Sequence, residues 1–294
     1  MAPAQGVLHR ATFTLGVISL ILNFASAFIN IMECLETFLM RLVHGMCDSL
    51  AKSIILATAN SLVPLAKTGR PRVSHELLLD QFIRVLRTGT TWRDVKGIDF
   101  RTAHRHFLRW AREGIFEAAY RRLHTLARRR RRDGSYLALD TSFVKNVFGI
   151  DAVGRNRTDR GRKATKIVAL VDDQGLPHKL GFIPANISDY RVLPSVTPFP
   201  RSERVNRVYA DKGFDSSAIR EEIRKEGFVP RVARRRTVTT VWADRRRRVV
   251  ERWFFGILDK CRRLILRYDK TIVAYEGWTW LACCRLAGNQ AARD

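Results

Sequence analysis

The rhythm of hydrophobic and polar positions changes twice along the chain and divides it into three blocks. Residues 1–66 are apolar and nearly uncharged, residues 67 to about 133 set apolar positions at helical spacing on a basic background, and residues 134–294 alternate strand-like and helical stretches. In the second block Ser74 precedes Leu77, Leu78, Phe82, Val85 and Leu86, and Gly89 follows. A cap, an apolar stripe and a stop predict a helix. "RTAHRHFLRWAREGIFEAAYRRLHTL" predicts two more, broken at Gly114. Short helices joined by Gly-containing turns and carrying Arg87, Arg93, Arg101, Arg105 and Arg109 fit a helix-turn-helix DNA reader. A basic three-helix bundle without groove specificity fits the same pattern. "ARRRRRDG" at 127–134 is a hinge on charge grounds, because adjacent arginines repel one another and resist packing.

In the third block "SYLALDTSFV" alternates as a strand and carries Asp140. "ATKIVALVDDQGLPHKLGFIPA" predicts two strands joined at Asp-Gln-Gly, and "DYRVLPSV" a short helix. "VNRVYADKGF" is a strand ending on Asp211, "DSSAIREEIRKEG" a helix, "FVPRVA" a strand and "DRRRRVVERWFFGILDKCRRLIL" one long helix. Hairpin strands followed by alternating helix and strand make an α/β block, a mixed sheet flanked by helices.

Charge changes the picture. Lys and Arg outnumber Asp and Glu by 53 to 28, a net +25. Such an excess points to a polyanion, since each cation placed near a phosphate releases condensed counterions; an acidic membrane surface and mere solubility are the alternatives. The five cysteines form no C-x-x-C pair and no evident zinc set with the scattered histidines, which fits a reducing compartment. Residues 11–35 are uncharged until Glu33 and long enough for the roughly 20 apolar residues of a bilayer span. They read as a signal anchor, a membrane helix or an extension acquired by the reading frame. Their Ser, Thr and Asn residues and the charged remainder weigh against insertion.

The carboxylates carry the candidate chemistry. Asp140 and Asp211 stand at strand ends, where neighbouring strands bring side chains together, and Glu251 lies on the long helix that can cross those ends. Three converging carboxylates need cations, and oxygen-only ligands select Mg²⁺ or Mn²⁺. Two such ions about 3.5–4 Å apart support phosphoryl transfer. A turn or cap role for each aspartate, and a surface ion pair for the glutamate, are the alternatives. At about 100° per residue Val250, Trp253, Phe254, Ile257, Cys261, Leu264 and Ile265 share one stripe. Glu251 borders it, with Leu258 and Arg262 on nearly the same edge and Arg247 one turn before, positioned for a DNA phosphate. Asp215 or Ser216 is expected to cap the following helix, Asp189 to cap "YRVL", and Asp172 and Asp173 to serve the hairpin turn locally.

Residues 68 to about 287 resemble the DDE transposases of bacterial insertion sequences, in the broad IS-five and IS-four group. The resemblance runs through "GRPRVS", "VLRTGTTWRDV", "FLRWAREGIF", "LALDTSFVK", "VGRNRTDRGRKATKIVALVDDQGLP", "IPANISD", "VYADKGFDS" and "VVERWFFGILDKCRRLILRYDK", in family order. It implies an RNase H-like fold over residues 134–294, preceded by a small helix-turn-helix-like DNA-binding domain over 67–133. Asp140, Asp211 and Glu251 then hold two Mg²⁺ ions, with Mn²⁺ as a substitute. The substrate is double-stranded DNA, the terminal inverted repeats of the element and a target, with no small-molecule substrate; the protein usually acts as a homodimer and works where the DNA is, in cytoplasm, nucleoid or nucleus. Arg162, Lys163 and Lys166 of "GRKATK" would line the DNA path, unless this is a solvated basic loop, with Arg105, Arg109, Arg247 and Arg262 as further DNA contacts. The family often has Tyr seven residues before its glutamate, Arg four before and Lys seven after; here Asp244, Arg247 and Leu258 stand there. Lys260 lies about 180° around a regular helix from Glu251, a poor substitute unless the helix is bulged. About 17 residues separate "FVPRVA" from Glu251, so the large inserted domain of some relatives is absent. Residues 1–66 lie outside the resemblance. The losses around Glu251 leave a second reading open, a catalytically silent, domesticated DNA-binding protein.

Overall fold

The computed structural model describes residues 49–65, 72–129, 136–200, 205–234 and 246–291. The apolar run 11–35, most of "GRPR", most of the arginine run and Asp244 lie outside the described residues.

Each predicted N-terminal helix forms where its caps demand. Helix α1 covers residues 49–62. In α2 (His75–Thr88) the Ser74 hydroxyl accepts a bond from the Leu77 N–H, and Gly89 ends the helix at φ 68°. Asp99 caps α3 (Phe100–Arg112) in the same way. Gly114, at φ 67°, turns the chain into α4 (Ile115–Arg129). Their apolar stripes meet in a cluster of rings, in which Phe82 lies edge-on to Phe107 at 5.3 Å and to Trp110 at 5.4 Å.

The C-terminal helix α8 (Ile272–Ala291) completes this cluster. It is apolar nearly all round, the pattern of a helix covered on every side. Trp278 stacks on Phe107 with ring centroids 3.8 Å apart. Gly277 permits the approach, because a Cβ there would stand 2.8 Å from the Ala111 methyl. The helices and one face of the sheet therefore share a single apolar core.

The sheet contains β1 (Leu137–Asn146), β2 (Gly154–Asn156), β3 (Arg162–Asp172), β4 (Pro177–Pro184), β5 (Arg207–Ala210), β6 (Val229–Val232) and β7 (Leu266–Arg267). Its central order is β3-β1-β5-β6, with β2 and β4 on β3 and β7 on β1. The β1–β3 and β3–β4 pairs are antiparallel, whereas β5 is parallel to β1 and β6 to β5. Alternation along β1 sends Ala138 and Val144 to the helical core and Leu137 and Leu139 to a second core. That second core is closed by Ile219 and Ile223 of α5 (Ser217–Lys225), the crossover between β5 and β6. The mixed α/β sheet with helices on both faces agrees with the pattern of the sequence.

Three expectations are corrected, and strands β2 and β7, of three and two residues, are additions too short to show alternation. Asp140 does not end its strand: β1 continues past it to Asn146, because pairing with β3 holds the polar residues that follow in the sheet. "DYRVLPSV" forms two single 3₁₀ turns, Asp189–Arg191 and Leu193–Ser195, because Pro194 cannot donate to a continuing helix. The long helix is broken. Helix α6 runs over residues 246–260 and contains a π-helical segment, Val250–Phe255; Cys261 then turns extended, at φ −97° and ψ 96°, before the short α7 (Arg262–Ile265). The wider π turn displaces the predicted stripe, so Leu258 is buried while Trp253 and Ile265 are exposed. Among the described residues no helix is long and apolar enough to cross a membrane.

Candidate active site

Parallel pairing brings the two aspartates together. Leu139 of β1 is level with Ala210 of β5, so Asp211, leaving the end of β5, stands beside Asp140, which lies within β1 and is paired with Ala169 of β3. Asp140 is 8% exposed, and its Oδ1 accepts the Thr141 N–H at 2.8 Å. Asp211 opens a 3₁₀ turn, Lys212–Phe214, and its Oδ1 accepts the Gly213 N–H at 2.5 Å. The turn is tight there: a Cβ on Gly213 would stand 2.8 Å from Asp211 Oδ1 and 3.1 Å from Asp189 Oδ2, so a side chain would displace those carboxylates.

The π segment supplies the third carboxylate. Arg247, one turn before Glu251, donates from Nη1 to Asp140 Oδ2 at 2.6 Å and to Glu251 Oε1 at 2.8 Å. One guanidinium thus bridges a buried aspartate and an exposed glutamate. Burial pushes the Asp140 carboxyl up to about 6; Arg247 and the Thr141 N–H oppose this, and the Asp211 and Glu251 charges add to it. Burial disfavours the Arg247 cation, but Asp140 and Glu251 outweigh it and hold its pKa above the ordinary value.

This donor set fits a hard divalent cation. All three groups offer carboxylate oxygen alone, which suits Mg²⁺ or Mn²⁺ over metals that prefer nitrogen or sulfur. The Arg247 guanidinium already stands between two of them as a positive charge.

The expected DNA contacts fall in different settings. Arg162 and Lys163 are exposed at the start of β3, paired with Asn156 and Arg155 of β2. Lys166 is buried, and its ammonium bonds the Ile187 carbonyl and, at 2.8 Å, Asp189 Oδ1. It is thus a buried tie rather than a solvent-facing cation. Asp189, expected as a cap, begins its 3₁₀ turn and takes Lys166 as partner, while Ser188 holds the cap position. Arg105 and Arg109 are exposed on α3. Arg93, Arg101, Arg105 and Arg112 surround a cavity of about 600 Å³ floored by Trp92 and Phe100. Arg262 was expected on the Glu251 edge of one regular helix; the break at Cys261 instead sets it against Gly89, at the end of α2.

Other local expectations resolve clearly. Ser216 caps α5 by accepting the Ile219 N–H, and Asp215 pairs with Arg220 at 2.8 Å. Asp172 Oδ1 accepts the Gln174 and Leu176 N–H groups and closes the β3–β4 turn. The Lys166–Asp189 pair had no signal in the sequence beyond two charges of opposite sign 23 residues apart.

Comparison with known proteins gives the family. Residues 131–287 match the family described as the transposase DDE domain. A putative transposase for insertion sequence element IS402 of Burkholderia cepacia is 32% identical over 155 residues, 50% of this chain and 73% of the relative. A putative transposase for insertion sequence element IS6501 of Brucella ovis is 28% identical over 127 residues, 42% of this chain and 96% of the relative. No solved structure matches. The family match covers more than half of the chain, from before β1 through most of α8, and the IS402 relative is covered to 73% of its length, so the chain belongs to the DDE transposase family of insertion-sequence elements.

Proposed function

We propose that the protein cleaves DNA at the terminal inverted repeats of its own element and transfers the freed 3′ ends to target DNA, using Asp140, Asp211 and Glu251 as the catalytic and metal-holding residues. The observation that carries this is the meeting of Asp140 and Glu251 on the Arg247 guanidinium, with Asp211 beside Asp140 on the neighbouring strand. An RNase H-like architecture is supported by the strand arrangement, three antiparallel strands followed by two parallel ones, with the acidic edge beside β1 and β5.

When bound, two Mg²⁺ ions, or Mn²⁺, supply charge neutralisation of the attacking and leaving oxygens of the phosphodiester. The chain's own residues do the remaining work. Asp140 and Asp211, fixed by backbone N–H groups of the residues that follow them, present oxygens in a set geometry. Glu251, exposed and among the described residues tied through Arg247, is the adjustable member. Arg247, once released from the carboxylates, reaches a DNA phosphate. Arg162 and Lys163 extend the cationic track, and Lys166 fixes the Asp189 turn behind Gly213. Residues 67–133, with Arg105 and Arg109 outward, form the domain that reads the element ends, and residues 134–294 the catalytic domain. Pairing two ends calls for a homodimer acting on double-stranded DNA wherever the DNA resides, with Arg262 as a further contact.

Incubation of the purified protein with DNA carrying the element ends and Mg²⁺ tests this reading. Nicked or joined products are expected, and Asp211→Ala is expected to abolish them while binding survives. A second reading, a transposase-derived DNA binder without activity, is favoured by one observation: Leu258 stands where the family often has Lys and is 5% exposed. Salt-dependent binding with no metal-dependent cleavage at any end sequence supports that reading over the first.

A further inference from the structure

A second set of metal-binding groups lies away from the carboxylate edge. His124 of α4, Asp172 at the end of β3 and His178 at the start of β4 place one ligand atom each within 4.8 Å of one another. Asp172 is level with Leu137 on β1, whereas Asp140 is level with Ala169. Three residues of strand, roughly 10 Å, therefore separate this cluster from Asp140 along the sheet.

Three features make it more than a chance meeting of side chains. His124 Nε2 is buried and has no hydrogen-bond partner. It stands 3.7 Å from Asp172 Oδ2, too far for a hydrogen bond and close to the ~3.3 Å that separates two ligands sharing a tetrahedral zinc. Asp172 is held in place, because its Oδ1 closes the hairpin turn through two backbone N–H groups and leaves Oδ2 directed at the imidazoles. The elements are also pinned together independently: Tyr120, one turn before His124, donates its hydroxyl to the Pro177 carbonyl at 2.7 Å, next to His178. The two imidazole rings meet edge-on with centroids 4.8 Å apart.

We propose that His124, Asp172 and His178 bind a zinc ion that clips α4 to the β3–β4 hairpin. Two imidazoles and one carboxylate are a zinc-type donor set, with water completing the tetrahedron, and are a poor site for Mg²⁺. The clip bears on the catalytic edge through packing. Gly175, in the hairpin turn, lies so close to α6 that a Cβ there would stand 2.5 Å from Trp253 Cβ and 3.3 Å from the Val249 carbonyl. The zinc thus steadies the turn against which the Glu251 segment rests. The inference does not depend on the cleavage chemistry.

The experiment uses the full chain carrying Asp140→Asn and Asp211→Asn, which weakens the acidic site, after chelator treatment and dialysis. Uptake of one Zn²⁺ per chain is expected, with a rise in thermal midpoint that excess Mg²⁺ does not reproduce. Co²⁺ in its place gives the visible bands of a tetrahedral site. In this background His178→Gln and His124→Gln weaken zinc binding by at least ~100-fold, beyond the 10–100-fold usual for outer-sphere changes, while His124→Cys retains it. Circular dichroism of each metal-free variant separates lost binding from lost folding. No zinc uptake by the parent chain, or undiminished uptake by a folded His124→Gln/His178→Gln variant, overturns the proposal. Either result leaves the reading of Asp140, Asp211 and Glu251 untouched.

Discussion

Asp140 is the most buried of the three carboxylates, and its titration follows. Its folded pKa of about 6 lies above the ordinary 3.8, so the folded state holds this proton more tightly than the unfolded chain between those values. Ionising the group therefore costs stability, a cost that grows as pH rises through the window and is complete above about 6. Cation binding requires the ionised form. Metal-dependent cleavage is expected to fall about tenfold per pH unit below about 6, and added metal is expected to restore part of it; a rate flat from pH 7 to 5 at limiting Mg²⁺ contradicts this. Arg247 is the main opponent of burial, so Arg247→Gln is expected to move the acid limb upward, read from the pH–rate profile. The positions of Asp140 and Asp211 were legible in the sequence because each ends a strongly apolar run. The Lys166–Asp189 pair and the His124–Asp172–His178 cluster were not, since each joins elements that only tertiary packing brings together.

Elements with a strong local pattern appear where their residues predict them. Helix α2 has a serine cap, an apolar stripe and a glycine stop, and β3 is apolar from Ala164 to Val171 with its lysine tied off. Helix α6 shows where periodicity fails. Its stripe continues through Cys261 without Pro and with a single Gly, Gly256, yet the packed chain takes a π turn at Val250–Phe255, just before that glycine, and bends at Cys261. A 100° wheel cannot register either event, and so it misassigned Leu258, Trp253 and Arg262. Because the hairpin turn rests on this segment, Gly175→Ala, at φ 80°, combines a disfavoured backbone with a clash. A loss of about 2–4 kcal/mol in urea unfolding is expected, with a fall in cleavage; a neutral substitution contradicts the packing described.

At the scale of the whole molecule two opposed distributions of charge explain each other. The net +25 covers the chain, whereas Asp140 and Glu251 share one guanidinium beside Asp211. In the proposed reaction a cationic surface holds the DNA backbone and the small acidic site takes the cations that act on it. If six or more phosphates are contacted, DNA affinity is expected to drop by about 10³-fold or more between 50 and 200 mM salt, and replacing Arg162 and Lys163 by Ala is expected to reduce that slope. The shared core of α2–α4, α8 and the sheet ties the proposed DNA-reading helices to the catalytic edge through packed side chains. The most direct test of the account is a paired measurement on one DNA that carries the element ends, with binding and Mg²⁺-dependent strand cleavage followed for the wild-type chain and for Asp211→Ala. The account predicts equal binding by both and cleavage by the wild type alone. Cleavage that persists in Asp211→Ala contradicts it.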